Sequence, residues 1–327
     1  MTNSLTGITR RLLVGFGLAS LGLVAAAQSS YPNRPITLVS PFLAGSSADN
    51  TARQISEIAA KDLGQPIVIE NKPGAEALIG MTDVVRAPAD GYRLLWAGGG
   101  SLMGVPAMRK KPPFDPVKDF TPIAASVDFS FFMYVHPDLP AKSMKEFIAY
   151  AQANPGKISY AVGNVQSRMI MGDLARRYKL DMVQVQYKGE VAAGADLISG
   201  RVQAMFGTTT QLQMAKSGKL RVISTSLSKR SAIMPNVPTL REEGIEGAEF
   251  GGGWLSIVAP AGLDAAITAK LHAAFTKALA DPSVTQRLQD AGLVYTPRGN
   301  GAALGEFMRS EYALYRKTAI ELDLVRD

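Results

Sequence analysis

After Tyr31 the chain alternates short apolar runs with longer segments in which apolar residues recur at helical spacing. ITLVS, PIVIEN and YRLLWAG have the length and composition of strands. Between the first two runs, one helical face is predicted to carry Ala52, Ile55, Ile58, Ala59 and Leu63, and a glycine follows them. Strand–helix alternation of this kind predicts a parallel sheet flanked by helices.

The same alternation starts again beyond the segment FDPVKDFTPIAAS. The predicted strands of this second unit are FSFFMYVH, KISYAV, DMVQVQY, VQAMFG and LRVISTS. PTLREEGI is predicted as a short helix and GWLSIVAPAG as a strand and turn, and two amphipathic helices, at about 264–280 and 302–318, close the chain. Two joined α/β units enclose a cleft, and ligands of open α/β sheets bind outside the carboxyl ends of the strands. The loops at 42–49, 98–101 and 163–167 should therefore face that cleft.

The beginning of the chain has the order of a secretory signal. Arg10 and Arg11 precede an apolar stretch from Leu12 to Val24, and three alanines follow it. The stretch is short for a membrane helix, and no later run of about 18 apolar residues appears. We predict an exported protein that is released by cleavage near Ala27. The paired arginines leave both the general and the twin-arginine export routes open.

Composition excludes several classes of function. The 327 residues suit about two domains. The absence of cysteine excludes disulfides, thiolate metal sites and a cysteine nucleophile. The two histidines, His136 and His272, do not form the H-x-x-x-H pair of a zinc site. We therefore expect no metal and no cofactor.

The charge of the chain favours a small anionic ligand over nucleic acid. The net charge of +7 falls to about +5 when the signal segment is removed with its two arginines. The remaining cations are scattered, and no basic run is interleaved with aromatic residues, so we expect no nucleic-acid partner. A mildly positive field attracts anions, although a basic surface also serves solubility alone.

The loop that follows ITLVS has the composition of an anion cradle. Small residues lead into a helix, whose first amides have no intrahelical acceptor and whose dipole attracts negative charge. Asp49 is predicted as the N-cap of this helix. The alternative is the ordinary strand–helix turn that every α/β protein contains.

The loop after KISYAV repeats this pattern in the second unit. Gly163 and Asn164 permit an unusual backbone, and Ser167 is predicted to cap the next helix. If the two loops face each other across the cleft, they would hold both ends of a dianion.

The motifs of the common enzyme classes are missing. The chain contains neither the phosphate loop G-x-x-x-x-G-K-[ST] nor the serine elbow G-x-S-x-G, and in GGGSLMG Met103 stands where a dinucleotide fingerprint needs its third glycine. The acid pair Glu242–Glu243 is predicted on a solvated helix, and no nucleophile–base set can be assembled. We therefore predict that the protein is not an enzyme.

Segments spread along the chain resemble, in this order, the Bug or tripartite tricarboxylate transporter family of periplasmic solute-binding proteins. The segments are YPNRPITLVSPFLAGSSADNTAR, LGQPIVIENKPGA, ADGYRLL, FDPVKDFTPIA, YKGEVAAGADLISGRVQAMF, GKLRVISTS, PNVPTLREEGI and IVAPAG. The resemblance implies an α/β, two-domain, type II Venus-flytrap fold, in which each domain is a mostly parallel sheet flanked by helices. The chain would cross twice, so that 28–128 plus 249–327 form one domain and 129–248 the other. We expect a monomer.

The resemblance also implies the residues that bind a small carboxylate, mainly through backbone amides and bridging waters. The first loop contributes Phe42, Ala44, Gly45, Ser46, Ser47 and Asp49, and the second loop contributes Gly163, Asn164 and Ser167. Thr208, Thr209 and Trp254 fall where the family places further cleft residues, and Ser101 comes from the loop at 98–101. Trp254 would form an apolar wall of the pocket, with packing in the core as the alternative.

Both loops depart from the family pattern. The first usually has two glycines and a Ser-Thr-Asp, but here Ser46 replaces one glycine and Ala48 the threonine. The second usually carries Gly-Ser or Gly-Thr and then a histidine, but here Val165, Gln166 and Met169 differ. A bulkier second loop reshapes the pocket, so dicarboxylates, tricarboxylates, amino acids and aromatic acids all stay open as ligands.

We predict an exported receptor that closes on a small organic carboxylate, because a ligand that bridges two lobes favours the shut state. The closed form would then dock on membrane transporter subunits. One alternative is a receptor that presents its ligand to a sensor protein without transport. Another is a periplasmic hydrolase of similar fold, which would need an activated nucleophile.

Overall fold

The computed structural model describes residues 31–227, 229–245 and 253–327, without the side chains of residues 125 and 126. The predicted signal segment, 1–27, and the predicted domain boundary between residues 248 and 249 lie outside the described residues. Of the helices within the described residues, none is both long enough and apolar enough to cross a membrane.

Strands and helices alternate throughout the described chain. The strands are β1 (Ile36–Ser40), β2 (Ile67–Asn71), β3 (Arg93–Gly98), β4 (Phe120–Phe129), β5 (Phe132–Val135), β6 (Ser159–Val162), β7 (Val183–Gln186), β8 (Ala204–Gly207), β9 (Arg221–Thr225), β10 (Gly253–Pro260) and β11 (Leu293–Thr296). The helices are α1 (Ser47–Leu63), α2 (Leu78–Val85), α3 (Met144–Ala153), α4 (Val165–Arg177), α5 (Glu190–Ile198), α6 (Leu212–Lys216), α7 (Ala265–Leu279), α8 (Pro282–Asp290) and α9 (Gly301–Glu321). Short helical turns lie at Ala75–Ala77, Gly100–Gly104, Val105–Ala107 and Thr209–Gln211.

The strands form two sheets. The order is β11-β4-β10-β3-β1-β2 in the six-stranded sheet and β7-β6-β8-β5-β9 in the five-stranded sheet. We call the six-stranded sheet with α1, α2 and α7–α9 the first lobe, and the five-stranded sheet with α3–α6 the second lobe. The strands joined through helices, β1 to β2 and to β3 and β6 to β7 and to β8, pair in parallel as predicted. The strands β4, β5 and β10, which lead between the lobes, pair antiparallel with their neighbours.

The chain passes from the first sheet to the second between Phe129 and Phe132, and it returns between Thr225 and Gly253. One apolar core extends across this crossing, since it contains Leu95 of β3 and Met133 of β5. The domain limits 28–128 plus 249–327 and 129–248 stay a prediction.

Local sequence explains where most helices begin. Ser143, Asp264, Asp281 and Asn300 each accept a backbone N–H from the first turn of the helix that follows, which satisfies an amide that has no intrahelical acceptor. Helices α7 and α9 match the two segments predicted at the end of the chain.

Three local predictions were wrong. The segment FSFFMYVH is not one strand, because Ser130 and Phe131 separate β4 from β5. PTLREEGI forms turns, with a single bridge from Thr239 to Thr225, instead of a helix. Helix α8 and strand β11 were missed because α8 buries only Val284 and Leu288, and β11 has only four residues, of which Leu293 alone is buried.

Candidate functional site

A cavity of about 240 Å³ lies between the two lobes. Its lining within the described residues is Phe42, Ser46, Ser47, Ala48, Gly98, Gly100, Ser101, Phe129, Phe131, Asn164, Val165, Gln166, Glu190, Thr208, Thr209, Thr210, Leu255 and Leu293. Most of these residues follow the carboxyl ends of β1, β3, β6 and β8, where open α/β sheets bind ligands. This volume lies just below the usual range of pockets that bind drug-sized ligands, so the cavity suits a smaller metabolite.

The first loop brings the start of α1 to this cavity. Ser46 is the N-cap, since its Oγ accepts the N–H of Asp49 at 3.3 Å. The prediction that Asp49 caps this helix was therefore wrong by three positions. Ser47 and Ala48, the first two residues of the helix, both line the cavity, and amides at these positions have no intrahelical acceptor.

Asp49 instead fixes the shape of the first loop from behind. Its carboxylate is 1% exposed and accepts the N–H of Gly45 at 2.9 Å, Nε of Arg53 at 3.0 Å and Nδ2 of Asn71 at 2.7 Å. Gly45 has φ +78°, a left-handed value that glycine adopts at no steric cost. Burial alone would raise the pKa of Asp49, but the hydrogen bonds from Arg53, Asn71 and Gly45 outweigh it and lower the pKa.

The second loop places the start of α4 at the same cavity. Asn164 is the N-cap, with Oδ1 accepting the N–H of Ser167 at 2.8 Å, and the Ser167 hydroxyl contacts the Asn164 backbone in return. The cap predicted at Ser167 is thus the reciprocal member of a capping box whose N-cap is Asn164. Gly163 packs on the backbone of Glu190, where an added Cβ would lie 2.9 Å from its Cα.

Glu190 is a lining residue that the sequence analysis missed. Its Oε1 accepts Nδ2 of Asn164 at 2.5 Å, and its Oε2 accepts the N–H and the hydroxyl of Thr208 at 3.0 and 2.6 Å. Burial raises the pKa of Glu190, and hydrogen bonds from Thr208, Thr210 and Asn164 offset part of this rise. The sequence gives no signal for this cluster, since its members lie on three separate segments.

The predicted site residues divide into two groups. Seven of them line the cavity: Phe42, Ser46, Ser47, Ser101, Asn164, Thr208 and Thr209. Six are not among the lining residues: Ala44, Gly45, Asp49, Gly163, Ser167 and Trp254.

The apolar wall of the cavity does not include Trp254. This side chain is 2% exposed, packs on Gly99 and Phe307, and donates its indole N–H to the Glu311 carboxylate at 3.0 Å. Phe129, Phe131, Leu255 and Leu293 line the cavity in its place. Phe129 and Phe131 were not predicted because they lie at the crossing between the sheets, which the sequence analysis read as one strand.

The lobes also touch each other beside the cavity. The hydroxyl of Thr209 donates to the carbonyl of Ala291 at 3.1 Å, and the Tyr315 hydroxyl donates to Oε1 of Gln166 at 3.3 Å. On another side of the cleft, Arg168 pairs with Glu76 at 3.5 Å. These contacts join the lobes at three places around the cavity.

Two α/β lobes that enclose a cavity between paired helix starts define a solute-binding protein of the periplasmic type. The family described as tripartite tricarboxylate transporter family receptor matches residues 51–313. The chain belongs to this family, which is also called the Bug family, and the predicted class of two α/β sheets flanked by helices is confirmed. Each sheet is mixed instead of mostly parallel, because the strands that lead between the lobes pair antiparallel with their neighbours. The family consists of binding proteins, so the chain is a receptor and not an enzyme, and the hydrolase alternative is set aside.

Individual relatives agree with this assignment. A protein of Cupriavidus necator, named UPF0065 protein in gbd 5'region, is 38% identical over 283 residues, which are 83% of either chain. The solved structure of the periplasmic binding protein BugD is 31% identical, with a TM-score of 0.79 over 91% of this chain and 100% of that one. MatC from Rhodopseudomonas palustris, solved with bound malate, is 31% identical, with a TM-score of 0.78 over 88% of this chain and 100% of its own.

Proposed function

We propose that this receptor captures a small organic carboxylate between its lobes in the periplasm and delivers it to the membrane subunits of a tripartite tricarboxylate-type transporter. The observation that carries the proposal is that the first turns of α1 and α4, one from each lobe, line the same cavity. The malate bound to MatC supports the ligand class. The receptor would act as a monomer, after removal of residues 1–27.

The two helix starts suit a carboxylate for the same physical reason. In each helix the cap occupies the third amide, that of Asp49 in α1 and that of Ser167 in α4. The earlier amides of Ser47, Ala48 and Val165 belong to residues that line the cavity. Amides at a helix start, together with the helix dipole, form an anion site without a charged side chain.

Ligand binding and lobe closure are linked in this proposal. A ligand held by both helix starts favours the arrangement in which the lobes touch, because only there can it contact both. The bonds from Thr209 to Ala291 and from Tyr315 to Gln166 would contribute to that arrangement. The transporter subunits would then recognise the paired lobes.

A thermal-shift screen with small organic acids tests the binding step. We expect at least one acid to raise the melting temperature, because a ligand that binds only the folded protein stabilises it. At 100 times Kd the stabilisation is about 2.7 kcal/mol, or roughly 5 °C for a chain of this size. A panel of mono-, di- and tricarboxylates, amino acids and aromatic acids with no member that shifts the melting temperature would contradict the proposal.

Uptake by cells that lack the gene tests the delivery step. We expect transport of the acid identified in the screen to be lost in these cells and restored by the gene on a plasmid. The control is uptake of an acid that gives no thermal shift. If uptake persists while a cellular response to the acid disappears, the receptor serves a sensor and the transport part of the proposal is wrong.

A further inference from the structure

Glu190 is the only charged side chain among the described residues that line the cavity. The other polar lining side chains, those of serine, threonine, asparagine and glutamine, are neutral. A pocket with this lining offers no cation to a second carboxylate of a ligand. The anion sites at the helix starts therefore share the cavity with one protein carboxylate.

The contacts of Glu190 hold it in place without a protein cation, and although burial raises its pKa, a ligand ammonium beside it would favour the ionised form. Asn164 and Thr208 fix both of its oxygens, and Thr210 lies within hydrogen-bonding reach. All of these partners are neutral donors. Glu190 is also the first residue of α5, where the helix dipole favours a negative charge.

The arrangement has a direct consequence for the ligand. A second carboxylate near Glu190 would meet a like charge in a site of low dielectric, which is costly. A ligand ammonium in the same position would form an ion pair with the Glu190 carboxylate. The described lining residues offer no cation for such a pair.

We propose that Glu190 makes the cavity specific for carboxylates that also carry an amino group, such as amino acids in their zwitterionic form. The carboxylate of the ligand occupies the helix starts and its ammonium group lies at Glu190. This inference rests on the proposed function and narrows the ligand to one of the classes that the sequence left open.

Matched ligand pairs test the inference by isothermal titration at pH 7.5. Two pairs, 4-aminobutyrate with succinate and 5-aminovalerate with glutarate, exchange a terminal carboxylate for a protonated aminomethyl group of similar length. The third pair, L-aspartate with L-malate, exchanges an α-hydroxyl for an ammonium group. We expect the amino member of at least one pair to bind about tenfold or more tightly than its partner. The substitution Glu190→Gln should reduce this ratio at least about tenfold, by weakening the amino ligand and strengthening its partner.

Two further variants separate a charge effect from damage to the site. Glu190→Ala removes the charge without adding the side-chain amide donor that Glu190→Gln would present to Asn164. Glu57→Gln removes an exposed carboxylate on α1 and should leave every ratio unchanged. Melting temperatures without ligand identify any variant that fails to fold.

The outcomes distinguish this inference from the function on which it rests. If no amino member of the three pairs binds more tightly than its partner, or if both Glu190 variants keep the wild-type ratio, the inference is wrong and the receptor function stands. If neither these six compounds nor any acid of the thermal-shift panel binds to the wild-type protein, the proposed function itself fails.

Discussion

Replacing Gly292 by leucine should weaken binding of any ligand that the cavity accepts by on the order of tenfold or more, without changing a residue of the lining. Gly292 lies in the first lobe, between α8 and β11. An added Cβ would lie 2.5 Å from Cδ1 of Ile233 and from Cγ2 of Thr209, both in the second lobe. The leucine would hold the lobes apart, and the apparent Kd rises as the fraction of the closed form falls. Isothermal titration with the best acid of the panel measures the effect.

Gly262 offers a matched control for this substitution. It also has a left-handed φ, +83° against +72° at Gly292, but an added Cβ would meet nothing within 4 Å. A leucine at either site costs about 1–2 kcal/mol through its left-handed conformation, so both variants should lose similar stability. Only Gly292→Leu should lose affinity. Equal Kd values for the two variants would show that lobe contact at Gly292 plays no part in binding.

Replacing Asp49 by alanine should remove both stability and ligand binding. The change leaves the Gly45 amide and the Asn71 amide without the acceptor that they share, and it frees the loop that carries Ser46 and Ser47. We expect a loss of about 2–4 kcal/mol in the free energy of unfolding, since a buried carboxylate with several donors is removed. Affinity should fall even at temperatures where the variant is fully folded. Urea denaturation and titration with the best acid measure the two effects.

The pH dependence of stability tests whether the negative charge of Asp49 causes its contribution to the free energy of unfolding. Its pKa in the folded protein is lowered, so it lies below the unfolded value of about 3.9. The ionised carboxylate therefore stabilises the fold fully above about pH 4, and this contribution is lost as the pH falls through the folded pKa. The difference in unfolding free energy between wild type and Asp49→Asn should stay constant from about pH 7 to 5 and shrink below about pH 4. If this difference in unfolding free energy stays constant down to about pH 2.5, the stabilisation comes from the packing of the side chain and not from its charge.

The sequence predicted the parts of the fold that depend on local periodicity. ITLVS and the helix after it form β1 and α1, and the amphipathic end segments form α7 and α9. Each of these segments buries one regular face, which the apolar pattern records. Helix α8 buries only two residues and strand β11 only one, so the place of β11 at the edge of the first sheet depends on its pairing with β4.

The sequence predicted those cavity residues whose role is visible within a single loop. The glycine and serine residues of the first loop indicated an anion site, and Ser46 and Ser47 line the cavity. The position of Glu190 could not be predicted, because Asn164 and Thr208, which hold it, belong to other segments. Trp254 was expected at the pocket because the family resemblance places a cleft residue there, but Glu311 and Phe307 of α9 hold it in the core.

A crystal structure of the receptor with its tightest-binding acid would show whether one ligand joins the two helix starts. We expect one carboxylate of the ligand within about 3.2 Å of the amides of Ser47 and Ala48, with the rest of the molecule touching the start of α4. A ligand that contacts only one lobe, or that lies outside the cavity between them, would contradict it.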